Sequence, residues 1–181
     1  RTARLEIRLP ELEDAEAMRD FYVQNEEFLQ PWSPSFDESL FNLEDWYYRI
    51  GAAKSEFDRG AGARLVLFHY GGLAGITNFT SINGFPQYSC LLGYSLAEGA
   101  QGKGLMEEGL RAAIPYVFRN FHLHRIYANY MPRNERSGRL LRRLGFEVHG
   151  YVRDYLLIDG VWEDHIQTSL LNPDWEAPTL L

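Results

Sequence analysis

The stretch AEGAQGKGLMEEGL, residues 97–110, sits between a run that reads as a strand and a run that reads as a helix. Gly99, Gly102 and Gly104 fall within six residues, with Lys103 between the last two. Glycine weakens an ordered chain unless the backbone must turn left-handed or something must approach it closely. A strand that feeds a glycine loop and then a helix makes an anion cradle, because loop amides and the helix's free N–H groups converge there. Lys103 adds charge to such a cradle or simply stays solvated. The P-loop pattern is absent, since Gly104 rather than a hydroxyl follows Lys103. The dinucleotide fingerprint is absent too, for want of a third glycine at the required spacing. On these residues alone an ordinary glycine turn before a helix stays open.

The 181 residues are 45% hydrophobic and 24% charged, which suits one soluble globular domain over 1–181 with a real core. Eleven Tyr, eleven Phe and four Trp disfavour disorder and suggest a large apolar interior or an aromatic cleft. The formal net charge of -7 argues against direct nucleic-acid binding and fits an amine-bearing partner. Cys90 stands alone, so no internal disulfide is possible and a reducing compartment is expected. No run resembles a signal peptide or a membrane span, and the expected location is cytoplasmic, with no membrane partner.

Working outward, RLEIRL (4–9) alternates as a half-exposed strand, and Pro10 ends it. Acidic residues then open a helix with Ala15, Met18, Phe21 and Tyr22 at helical spacing. FLQPWSPSFDES (28–39) is a Pro-broken aromatic loop, and a second helix covers roughly 43–58. RLVLFHY, LAGITNFTSI and YSCLLGYSL read as three strands joined by hairpins at Gly71-Gly72 and Asn83-Gly84. A helix over about 103–120 follows, with Pro115 as a candidate kink. HRIYANYM is a strand, NERSGRLLRRLGF a short helix, and the last two strands turn at Asp159-Gly160. The order β-α-α-β-β-β-α-β-α-β-β predicts one mixed α/β domain.

Gln101-Gly102-Lys103-Gly104-Leu105-Met106 resembles the pyrophosphate-binding motif Q/R-x-x-G-x-G/A of the GNAT acyltransferase superfamily. Met106 departs from the small residue usual there, although Q-G-K-G-x-M is familiar in the RimJ/RimL branch, which acetylates N-termini of ribosomal proteins. NYMPRNERSGRLLRRLGFEVHGYVRDYLLIDGVWEDH (129–165) looks like the second half of that branch, and FLQPWSP (28–34) resembles its RimJ side. The resemblance spans about residues 4–175. It implies a mixed α+β GNAT fold: a mostly antiparallel sheet, splayed between the fourth and fifth strands and flanked by helices.

The resemblance also implies roles. The pantetheine arm of acetyl-CoA lies in the splay, against the backbone of Tyr94 and Leu96, with Gly93 easing a bulge. Gln101, Gly102, Lys103, Gly104, Leu105 and Met106 take the pyrophosphate. Asn134 and Ser137 occupy the N-x-x-S positions, where Asn134 touches the cofactor or caps its helix. Ser137 is the candidate proton donor to the departing thiolate. A backbone N–H near Leu96 is the candidate oxyanion donor.

The attacking amine must lose a proton; Asp154 and the Glu163-Asp164 pair of the last hairpin are the candidates there, and Asp154 is the first-choice base. A surface or salt-bridged role beside Arg153 or Arg142, and a water relay with no single base, are alternatives. Glu107 and Glu108 read as helix-dipole acids. Trp32 and Tyr130 are candidate walls of the substrate cleft or plain core aromatics. His122 and His124 form an H-x-H expected on a strand edge, both half-buried; without a spaced third ligand no metal is expected. His165 reads as structural, and Cys90 as inert core. Together these predict acetyl transfer from acetyl-CoA to the α-amine of a protein N-terminus, a ribosomal protein's, through a ternary complex. The alternatives are a polyamine, antibiotic or amino-acid acceptor, or a non-catalytic module that binds a ribosomal protein.

Overall fold

A computed structural model describes residues 1–34 and 37–178; residues 35 and 36 of the expected aromatic loop and residues 179–181 lie outside it. The elements run β1 (Leu5–Arg8), α1 (Ala15–Leu29), α2 (Leu43–Asp58), β2 (Ala63–His69), β3 (Gly72–Asn83) and β4 (Ser89–Leu96). They continue as α3 (Leu105–Asn120), β5 (Arg125–Tyr130), α4 (Glu135–Arg143), β6 (Glu147–Ile158) and β7 (Val161–Leu171). This is the order of strands and helices expected from the sequence.

The seven strands form one sheet in the order β1-β2-β3-β4-β5-β7-β6. Every neighbouring pair is antiparallel except β4 and β5, which are parallel. Helices cover both faces because each strand of the centre carries apolar side chains both ways. On one face Leu65, Leu67, Phe79, Cys90, Leu92 and Leu96 pack against Leu105, Leu110, Ile114 and Val117 of α3 and Leu140 and Leu141 of α4. On the other, Val66 and Ile76 meet Met18, Phe21 and Leu29 of α1 and Trp46 and Ile50 of α2. Pro115 sits on the exposed side of α3, which continues as helix through it to Asn120.

Several local expectations are corrected. The first hairpin turns on Tyr70 (φ 50°) and Gly71 (φ 81°), one residue earlier than the Gly71-Gly72 reading, because Gly72 already pairs with His69. Asn83-Gly84 is no tight turn: Asn83 pairs with Ser89, and the five intervening residues include a cis Phe85–Pro86 bond. Asp159 and Gly160 (φ 47° and 77°) do form the expected tight turn between Ile158 and Val161. His122 and His124 precede β5 in a turn rather than sharing a strand face. His122 is exposed with φ 52°, and their rings lie 6.2 and 4.9 Å from that of Trp175. The bulge expected at Gly93 is absent, since β3 and β4 keep register from Leu91 to Leu96 and shift only between Thr80 and Asn83.

Candidate active site

β4 and β5 pair over three positions only: Ser89 with Arg125, Cys90 with Ile126 and Leu91 with Tyr127. Beyond them Leu92 to Leu96 pair only with β3, whereas Ala128, Asn129 and Tyr130 pair only with β7. A gap therefore opens in the middle of the sheet, bordered by main-chain groups that have no strand partner. An extended ligand can add to such an edge as a strand would.

At the mouth of the gap the chain leaves β4, makes a 3-10 turn at Glu98–Ala100 and enters the glycine loop. Gly102 (φ 73°) and Gly104 (φ 72°) are both left-handed, and a Cβ on Gly102 would meet nothing within 4 Å. Gly104 caps α3 without any side-chain hydrogen bond, so the first amides of that helix are left free by the protein. Gln101 Nε2 donates to Leu96 O at 2.9 Å, and Lys103 Nζ folds back onto Gly99 O at 2.7 Å. Leu105 and Met106 send their side chains into the core, 1% and 6% exposed, leaving only backbone at the loop. That explains why a bulky Met106 is compatible with the cradle.

α4 lies across the gap. Asn134 is its N-cap and accepts from Ser137 N at 3.1 Å. The Ser137 hydroxyl is 2.7 Å from the Tyr94 hydroxyl, a bond from β4 to α4. Burial pushes the Tyr94 phenol up to about 12, so it holds its proton at neutral pH and is able to donate to Ser137. Ser137 then keeps its own proton for another acceptor. Tyr130 packs its ring onto Gly138, where a Cβ would come within 2.6 Å of the ring. The glycine there lets α4 approach β5.

Trp32 is 37% exposed, with the guanidinium of Arg133, the residue before the α4 N-cap, 4.9 Å over its ring. Arg133 also donates to Pro31 O at 2.9 Å and to Glu163 Oε1 at 2.7 Å. Trp32 and Tyr130 are thus held by different partners. Asp154 is exposed at φ 48° in the irregular part of β6, and its N–H donates to Asp164 Oδ1 at 2.9 Å. Among the described residues no ion pair joins it to Arg153 or Arg142. Tyr151 also bonds Asp164, and that bond, ahead of the Asp154 amide, holds the Asp164 carboxyl below its usual range.

Glu107 and Glu108 are more than dipole acids. Arg143 and Arg111 grip Glu107, tying α3 to the end of α4, and lower its pKa. Glu108 binds Thr2 and Arg4, also with a lowered pKa. Sequence reasoning missed Arg133 and Arg4, whose partners lie far along the chain and leave no local spacing to detect. Cys90 is buried and its thiol is pushed up to about 12 by that burial. His165 is buried, with Nδ1 3.0 Å from Glu163 O. Among the described residues no three or more His, Cys, Asp or Glu are grouped to hold a metal ion. Two hollows lie away from the gap, about 630 Å³ beside Trp175 and Phe118 and about 900 Å³ beside Pro10 and Tyr116.

A family model described as the acetyltransferase (GNAT) domain matches residues 4–147, taking in β1 through α4 and therefore both the gap and the glycine loop. The chain belongs to the GNAT acetyltransferase family. It is 47% identical over 176 residues to the [ribosomal protein uS5]-alanine N-acetyltransferase of Escherichia coli K12, covering 96% of this chain and 91% of that one. The ribosomal-protein-S5-alanine acetyltransferase of Vibrio fischeri superposes with a TM-score of 0.94 at 33% identity, over 98% of each chain. Mycobacterium smegmatis RimJ in complex with CoA-disulfide gives 0.87 at 25% identity, over 92% of this chain and 81% of that one. The sheet interrupted between β4 and β5 is thus the GNAT sheet, and the chain is an acetyltransferase.

Proposed function

We propose that this GNAT chain acts as one domain that moves the acetyl group of acetyl-CoA onto the N-terminal α-amine of a ribosomal protein. The observation that carries the acceptor class is the 47% identity over 96% of the chain to an enzyme named for that reaction. The acidic surface, net charge -7, supports attraction of a basic ribosomal-protein N-terminus. The reading places the reaction in the cytoplasm, where acetyl-CoA and newly made ribosomal proteins meet, with no direct nucleic-acid contact. No helix among the described residues is long and apolar enough to cross a membrane.

The residues present fit the cosubstrate. Gln101 through Met106 offer the free amides of the α3 start to the pyrophosphate, and the two left-handed glycines keep side chains clear of it. The open edge of β4, through the backbone of Tyr94 and Leu96, takes the pantetheine arm. A main-chain N–H near Leu96 stabilises negative charge on the carbonyl oxygen as the amine nitrogen bonds to the carbonyl carbon. When the carbon–sulfur bond breaks, Ser137 gives its proton to the sulfur and is held in place by Tyr94 and the Asn134 cap. Cys90, buried and kept as a thiol, takes no part, which is consistent with direct transfer. Trp32 and Tyr130 wall the acceptor cleft in this reading.

Asp154 receives the amine proton, directly or through water. With Asp154→Asn, kcat is expected to fall at least tenfold at neutral pH with an unchanged CoA Kd, since general-base terms are worth about a hundredfold or more. Full activity in that variant would remove Asp154 and leave a water relay. The acceptor is tested by mass spectrometry of Ala- and Ser-starting ribosomal N-terminal peptides, spermidine and free amino acids incubated with acetyl-CoA. One acetyl on a peptide α-amine is the expected result. Acetylation of spermidine or amino acids alone would overturn the acceptor class, and no acetylation at all would overturn the activity as proposed.

A further inference from the structure

The pyrophosphate loop is a poor anion site unless something holds its shape. Its backbone alternates between extended Gln101 and left-handed Gly102 and Gly104, and two glycines in four residues give the free chain many other shapes. Two of its bonds are local: Gln101 to Leu96 O, and Lys103 Nζ to Gly99 O. The third comes from a segment 99 residues earlier, where Arg4 Nη1 donates to Lys103 O at 2.8 Å. Arg4 Nη2 also lies 3.7 Å from where a Cβ on Gly104 would stand, so the guanidinium rests against the loop itself.

Arg4 is in turn fixed by Glu108 on the first turn of α3. Its Nε donates to Oε2 at 2.6 Å and its backbone N to Oε1 at 2.9 Å, while Thr2 Oγ1 adds a bond to Oε1 at 2.6 Å. Thr2 first, and then Arg4, hold the Glu108 carboxyl below its usual range, so it is ionised at neutral pH. An ionised carboxylate this close to an anion site opposes the anion unless it is paired. Arg4 therefore serves two ends with one side chain. It pins the Lys103 carbonyl and so restrains the neighbouring amides, and it neutralises the charge of Glu108.

We propose that Arg4, locked by Glu108, is the positioning residue that preorganises the loop from Gln101 to Gly104, and so sets affinity for the pyrophosphate part of acetyl-CoA. The inference rests on the assignment of that loop to pyrophosphate. Preorganisation lowers the ordering cost at binding rather than adding a contact, so its loss raises Kd and leaves the chemical step alone.

The test compares two acyl donors, acetyl-CoA and S-acetyl-pantetheine, which lacks the pyrophosphate and nucleotide, on the wild type and on Arg4→Met and Glu108→Gln. For Arg4→Met, KM for acetyl-CoA is expected to rise about tenfold, a charge-assisted hydrogen bond reduced by partial exposure. Its kcat, and its kcat/KM with S-acetyl-pantetheine, should match the wild type. Glu108→Gln keeps an acceptor oxygen for Thr2 and the Arg4 amide but loses the charged lock, so its rise in KM should be smaller, about threefold. If wild type used both donors with equal kcat/KM, the loop's assignment itself would fall. If wild type preferred acetyl-CoA and Arg4→Met kept that preference in full, only the role of Arg4 would fall. An equal loss with both donors would make Arg4 a general structural residue and also overturn the proposal.

Discussion

Replacing Gly104 by aspartate is expected to leave a folded protein that binds CoA at least a hundredfold more weakly in calorimetry. Gly104 is the N-cap of α3 with φ 72°, and a Cβ there meets nothing closer than Arg4 Nη2 at 3.7 Å. The strain of a side chain at that φ is about 1–2 kcal/mol, and lower for aspartate, which visits left-handed conformations more readily than most residues. For a chain of this size that is a fall of only a few degrees in Tm. The effect on the ligand is much larger, because a fixed carboxylate would share the free amides with the pyrophosphate. Two unit charges about 5 Å apart at an effective dielectric near 20 repel by roughly 3 kcal/mol, and pyrophosphate carries more than one. Gly104→Asn has the same shape without the charge and should lose far less affinity. An unchanged Kd in Gly104→Asp would remove pyrophosphate from the loop.

Ser137→Ala carries the second large effect, a fall in kcat of about 10²-fold or more with the CoA Kd within a factor of about two, the signature of an interaction made only as the bond breaks. The helix start should survive, because Asn134 caps α4 through the Ser137 backbone N–H rather than its hydroxyl. The Tyr94 phenol would lose its partner and stay protonated, since burial pushes it up to about 12, but without the Ser137 hydroxyl it has no relay to the sulfur. The loss in rate should consequently be flat between about pH 6 and 9, where neither hydroxyl titrates. Tyr94→Phe should show a smaller loss in the same step, and the double variant should be little worse than Ser137→Ala. A Ser137→Ala enzyme with full kcat would place the proton donor elsewhere.

What was legible in the sequence is what short-range chemistry demands. The left-handed backbone at Gly102 and Gly104 is concentrated in three residues, so the loop announced itself, as did the turn at Asp159-Gly160. Asn83-Gly84 carries the same local preference, yet the chain takes five residues, one of them Pro86, before Ser89 pairs with Asn83. The strand-edge reading of His122 and His124 failed because β5 begins only at Arg125, after a turn with His122 at φ 52°. The gap between β4 and β5 has no local signature at all; it came with the resemblance to the GNAT superfamily. The pairing of Trp32 with Arg133, and of Arg4 with Glu108, joins residues about a hundred positions apart. Only the fold brings them together.

The three residue pairs joining β4 to β5 have a meaning for how long the molecule lasts. Among the described residues they are the only ladder between the antiparallel half built from β1 to β4 and the half built from β5, β6 and β7. A seam that short is where partial opening should begin, and proteases act on such opened forms in proportion to how often they occur. A ligand that lies along the seam closes it by mass action, by RT ln(1 + [L]/Kd). The same molecule that supplies the acetyl group would then also act as a stay against degradation. Limited proteolysis of the chain is accordingly expected to slow when CoA is added.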